Sequence, residues 1–133
     1  MAQGAKIALG SQRHCIQKMV LKLLRISHAA YLPGHHFAAD IDQLILLIGI
    51  FIGQVEGRPF TAAKLAIFLD IPRTTLLRRL AGMEKEGIIA REDHRYHMAS
   101  SKLADQVTSC RQQIRTIQNA ALELSKMDNK PVG

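Results

Sequence analysis

A chain of 133 residues is long enough for one hydrophobic core but not for two. A 47% share of hydrophobic residues excludes a disordered chain, and two cysteines far apart, Cys15 and Cys110, exclude a disulfide framework or a zinc finger and point to a reducing cytoplasm. The formal charge of +7 favours polyanions as partners.

The opening stretch MAQGAKIALG carries two glycines and little pattern, so it is expected to fray. It has no apolar segment followed by a small-residue cleavage site, so no signal peptide is expected. From Ser11, a candidate N-cap, the residues Ile16, Met19, Leu23, Ile26 and Ala30 recur at helical spacing and form one stripe. Pro33-Gly34 ends this helix, which is assigned to residues 11–32. The first 31 residues hold five Lys or Arg and no acid, a face suited to solvent or to phosphate.

A second helix is predicted from its N-cap Asp40 to about Val55, apolar nearly all round and therefore central to the core. Its run LILLIGIFI, Leu44 to Ile52, falls short of the ~20 residues a membrane span requires, so no membrane partner is expected. Gly49 and Gly53, four apart, mark a place where a neighbouring helix comes close. The segment Glu56 to Phe60 breaks the pattern, and Thr61 caps a short helix from Ala62 to Leu69. Asp70-Ile71-Pro72 forms a turn, with Pro72 in the first turn of a helix that runs to Glu86 and stops at Gly87.

Ile88 to Arg91 and Tyr96 to Met98 read as strands around a turn of Glu92, Asp93, His94 and Arg95. A last helix is expected from Ser100 to Met127, with Leu103, Val107, Cys110, Ile114, Ile117, Ala121 and Leu124 on a heptad seam. Such a narrow seam needs a second helix, from the same chain or from a partner. The expected fold is mainly α with a small β-hairpin, one domain over 1–133. It is a winged helix-turn-helix at 40–98 with long terminal helices at 11–32 and 100–127. The physical logic of the plan is that a short helix braces a second one, whose N-terminal half then enters a DNA major groove.

The stretch LAIFLDIPRTTLLRRLAGMEKEGII, Leu65 to Ile89, resembles the core of bacterial winged-helix regulators of the MarR (multiple antibiotic resistance regulator) type. Leu65, Ala66, Leu69, Ile71, Thr74, Thr75, Leu76, Arg78, Leu80, Gly87, Ile88 and Ile89 match the family pattern without a gap. Arg79 stands where the family keeps an apolar residue, Leu77 where a small polar one is common, and Gly82 interrupts the second helix. The wing turn is also shorter and less basic than most, and one terminal helix of the family is missing.

The resemblance implies a homodimeric transcriptional regulator of double-stranded DNA, acting by repression, with an unidentified small-molecule effector. Helical geometry anchors Leu76, Leu80 and Met83 on the core and turns Arg73, Thr74, Leu77, Arg78 and Ala81 outward. Arg78 is the candidate reader of guanine, and Leu77 of a thymine methyl. Thr61, Thr74 and Thr75 offer phosphate contacts, and Arg91 and Arg95 serve the wing. The dimer would bury Ile16, Met19, Leu23 and Ile26 with Leu103, Val107, Cys110, Ile114, Ile117 and Leu124.

Other chemistry finds less support. His35-His36 and the group Asp93, His94 and His97 lack ligand spacing, so no metal is expected. Cys15 and Cys110 raise a redox switch, but a cysteine on a heptad seam packs as a small apolar residue. There is no Gly-rich phosphate loop and no nucleophile motif, so no catalytic residue and no cofactor are assigned. The rival reading is a protein-interaction module whose terminal helices dock a partner and whose basic face is incidental.

Overall fold

The computed structural model describes residues 2–103 and 106–128. In chain order they form α1 (Ala2–Tyr31), a 3-10 turn (Ala38–Asp40), α2 (Ile41–Val55), α3 (Ala62–Leu69), α4 (Arg73–Lys85), β1 (Ile89–Glu92), β2 (Arg95–Met98), α5 (Ser100–Leu103) and α6 (Gln106–Asp128). The chain is mainly helical, with β1 and β2 paired antiparallel. It divides into two units, His28–Val107 and the pair Met1–Ser27 with Thr108–Gly133.

The core of the first unit is built on α2. Leu44, Leu46, Leu47 and Ile50 are fully enclosed, together with Leu65 of α3 and Leu76 of α4. The glycines of α2 set how close its neighbours come. A Cβ on Gly49 would lie 3.0–3.3 Å from the Leu65 and Leu69 methyls of α3. One on Gly53 would lie 2.6 Å from the ring of Phe60. That ring stacks on Phe68 with centroids 5.0 Å apart. By length and composition Ala38–Val55 does suffice to cross a membrane, a correction to the shorter run read from the sequence. Its enclosed leucines are those of a core helix.

Three helices of this unit end alike. Within two residues of each end stands a residue of positive φ (Gly57, Asp70 and Gly87), and the next residue's N–H reaches back five residues, as in Arg58 to Gly53, Ile71 to Ala66 and Ile88 to Met83. Glycine suits this conformation; Asp70, at φ 53°, adopts it against the preference of an L side chain. Thr61 caps α3, its hydroxyl accepting from the Lys64 N–H at 3.3 Å. Pro72 stands at the N-cap of α4, one residue before the first turn where it was expected, and offers its carbonyl to the Leu76 N–H.

Two expectations fail here for identifiable reasons. Helix α1 begins at Ala2, well ahead of Ser11. Ala, Gln, Lys and Leu are strong helix formers, and two glycines at ~1 kcal/mol each do not stop them. Asp40 holds the N-cap position of α2 without capping it. Its carboxylate turns instead to two histidines, 3.2 Å from His28 Nε2 and 3.4 Å from His35 Nδ1.

In the second unit α1 and α6 run antiparallel, since Cys15 meets Ala120 and Glu123 while Leu23 and Ser27 meet Gln113. The face of α6 toward α1 is Ser109, Gln113, Thr116 and Ala120, small or polar rather than apolar. Hydrogen bonds make that acceptable: Gln113 Nε2 donates to Ser27 Oγ at 2.6 Å, and Thr116 Oγ1 to the Gln112 carbonyl at 2.9 Å. The expected continuous helix from Ser100 is described in two segments, on either side of residues 104–105, which lie outside the described residues.

Candidate nucleic-acid interface

The 100° advance per residue sorts α4 into two faces. Leu76, Leu80 and Met83 are at most 1% exposed and anchor it, as the sequence predicted. Arg73, Thr74, Leu77, Arg78, Ala81 and Lys85 form the exposed side, and Leu77 is 42% exposed despite being apolar. Thr75 lies between the faces and is half-buried. Arg79 forms an ion pair at the surface, its Nη2 2.9 Å from Asp42 Oδ2 on α2, which gives its charge a partner on the neighbouring helix.

The hairpin stands beside this helix. Its register pairs Ile89 with Met98 and Glu92 with Arg95, so the turn is only Asp93 and His94, shorter than the four residues expected. Both have positive φ (52° and 63°), as a type I′ turn requires. Phe60 and Thr61 extend the ladder. The Tyr96 N–H donates to the Phe60 carbonyl at 3.0 Å, and Thr61 bridges to Arg95.

Between these elements is an open cleft of about 280 Å³, lined by Thr61, Arg73, Leu77, Arg91, His94 and Tyr96 with Ala62 and Ala63. Four of the eight predicted DNA-contacting residues therefore share one concavity. Thr74 and Arg78 lie on the exposed side of α4. Arg91 Nε is 3.5 Å from Glu84 Oε1, and Arg95 Nη1 donates to the Pro59 carbonyl at 2.7 Å. Among the described residues Arg73 and Arg78 have no ion pair. Tyr96 and Lys85 have no site role in the sequence reading, and His94 enters it only among the histidines weighed for a metal; a two-residue turn brings His94 to the cleft, but Asp-His lacks the Asn or Gly that signals one.

The predicted dimer seam divides. On α1, Met19, Leu23 and Ile26 are half-buried on the side facing α6 of the same chain. On α6, Cys110, Ile114, Ile117 and Ala121 are exposed, with Ile114 and Ile117 at 48% and 49%, and Leu124 is half-buried. The side chains of Leu103 and Val107 lie outside the described residues. The α6 seam is displaced about 100° from the face used within the chain, in the direction of increasing residue number. On α1 the stripe Leu9, Ile16 and Val20 is displaced in the same sense by about 80° and is likewise exposed. Antiparallel helices wind in opposite senses when viewed from one end, so both stripes open on the same side of the pair. They make one apolar face, on which Val20 lies level with Ile117.

Cys15 is buried, and its thiol lies 3.3 Å from Glu123 Oε2 and 3.8 Å from the Ala120 carbonyl. Burial, then the hydrogen bond to Glu123, pushes this thiol up, which holds it protonated and poorly nucleophilic. Cys110 is exposed on the opposite apolar side. Among the described residues no group of three His, Cys, Asp or Glu is placed to hold a metal ion. Comparison with family models, curated proteins and solved structures finds no match to this chain.

Proposed function

We propose that this protein is a cytoplasmic, sequence-reading regulator of double-stranded DNA, built on a winged helix-turn-helix of MarR-like type and acting as a homodimeric repressor. The observation that carries the reading is the cleft between α3, α4 and the hairpin. It gathers Thr61, Arg73, Leu77 and Arg91 beside an exposed helix face bearing Thr74 and Arg78. In this reading α4 enters the major groove with Arg78 on guanine and Leu77 against a thymine methyl. Thr61, Thr74, Thr75 and Arg73 meet the backbone, and the hairpin meets the flanking phosphates through Arg91, Arg95 and His94. The apolar face of the α1–α6 pair supports the dimer, because a second copy covers by two-fold symmetry what one chain leaves open. A dimer of such heads favours a palindromic site with half-sites about 34 Å apart.

A protein-interaction module is the second reading, and α3 favours it, since Ile67 is 81% and Phe68 51% exposed. Fluorescence anisotropy with a labelled random-sequence duplex, at two salt concentrations, separates the two. The DNA reading expects binding that weakens steeply with salt and that Arg73→Ala/Arg78→Ala weakens further, with a salt slope reduced by about one for the phosphate contact of Arg73. Absence of binding at low salt, or indifference to that double substitution, rejects it.

A further inference from the structure

The α1–α6 pair has a second face, opposite the apolar one, and it is hollow. Because α6 turns Thr116 and Ala120 inward where a close-packed pair would carry Leu or Ile, the space between the helices is underfilled beside Cys15 and Met19. The result is a cleft of about 280 Å³ floored by Cys15, Met19, Thr116 and Ala120 and ended by Met127. A second hollow of about 220 Å³ shares Lys22, Thr116 and Asn119 with it and adds Ile26, Gln112 and Arg115.

The rim is cationic. His14, Lys18 and Lys22 follow one another along α1 at four-residue steps, and Arg115 faces them from α6. Lys18 and Lys22, one helical turn apart, repel each other and leave a concentration of positive charge along this edge of α1. Among the described residues neither Lys18 nor Lys22 has an acidic partner. The one acid in the first cleft, Glu123, accepts from the Cys15 thiol and keeps its charge there, whereas the second hollow, with Lys22 and Arg115, has no acid in its lining. The field of Lys18 reaches the floor, since it opposes the upward push on that thiol. The Asn119 amide, on the wall shared by the two hollows, makes no side-chain hydrogen bond among the described residues.

We infer that this cleft binds a small organic anion, a carboxylate or phosphate on a compact apolar body. The anionic group sits between Lys18, Lys22 and Arg115 and takes a hydrogen bond from the Asn119 amide, while the apolar body lies on Met19, Ala120 and Met127. Charge selects the anion, and the methionines accept varied apolar shapes. The inference stands apart from DNA binding, because it uses neither α4 nor the hairpin.

The test is an NMR titration of the ¹⁵N-labelled 133-residue chain with 1-naphthyl phosphate and with neutral 1-naphthol. The expected result is saturable shifts of the Asn119 side-chain amide and of the Lys18, Lys22 and Thr116 backbone signals. Lys18→Gln/Lys22→Gln, two exposed positions, is expected to weaken phosphate binding at least about tenfold, the loss of charge-assisted contacts. The naphthol is expected to bind at least about tenfold more weakly than the phosphate on the same ground. Equal binding of phosphate and naphthol overturns the inference. So do shifts confined to Ile114 and Ile117, insensitivity to the double substitution, or no shift at millimolar phosphate.

Discussion

The exposed seam of α6 makes a quantitative demand. Full burial of an isoleucine stabilises by ~1.5–3 kcal/mol. Ile114 and Ile117 retain 48% and 49% of their surface in one chain, so a partner that covers them gains roughly 1 kcal/mol for each. In a two-fold dimer both residues count twice, which makes about 4 kcal/mol in total, of which alanine retains a fraction. Ile114→Ala/Ile117→Ala should therefore weaken dimerisation by about 3 kcal/mol, or roughly a hundredfold in Kd at 1.4 kcal/mol per decade. Sedimentation equilibrium over a concentration series measures that Kd directly. Far-UV circular dichroism checks that the helices persist, which is expected because both side chains are half-exposed within one chain. A wild-type chain that stays monomeric at tens of micromolar, or a dimer whose Kd ignores the double substitution, would refute the reasoning.

Four further outcomes follow from local geometry. Gly82→Ala should raise stability by ~1 kcal/mol in thermal unfolding, because a Cβ there meets nothing within 4 Å and helical glycine is disfavoured. His94→Gly should raise it by about the same amount, relieving φ 63° in the hairpin turn, while His94→Val should lower it. Gly53→Ala should cost about 2 kcal/mol or more in urea unfolding, since its methyl would press on Phe60 at 2.6 Å and on the Arg58 carbonyl at 3.0 Å. Burial pushes the Tyr31 phenol up to about 12, so the folded state binds its proton more tightly than the unfolded one. That contribution is fully present below the ordinary tyrosine value of about 10 and is lost as pH rises from there through the folded value near 12. Tyr31→Phe should remove this component of the alkaline loss, as read by denaturant unfolding across that range.

Where one local rule acted unopposed, the sequence was readable. Helix α3 has the expected bounds, Ala62–Leu69, because Thr61 supplies a cap that nothing competes for. Gly87 ends α4 for the same kind of reason, and Leu76, Leu80 and Met83 face inward as their spacing requires. Competition hid the rest. Asp40 looked like a cap, but His28 and His35 take its carboxylate. The Asp93-His94 turn has none of the residues that usually announce positive φ. Periodicity marks an apolar seam on α6, but within one chain Cys110, Ile114, Ile117 and Ala121 of that seam are exposed. The face that packs within the chain is Ser109, Gln113, Thr116 and Ala120, which a hydrophobic pattern does not register. The cleft at the hairpin depends on Phe60 and Thr61 joining the ladder from a distance in sequence, a pairing no local pattern encodes.

The central claim, a DNA head centred on α4, is tested most directly by selecting bound duplexes from a random pool with the purified protein and sequencing them. The account predicts an enriched palindrome whose affinity falls with salt and whose preference at one base pair of each half-site is lost with Arg78→Ala. Recovery of no motif, with weak retention even at low salt, would contradict it.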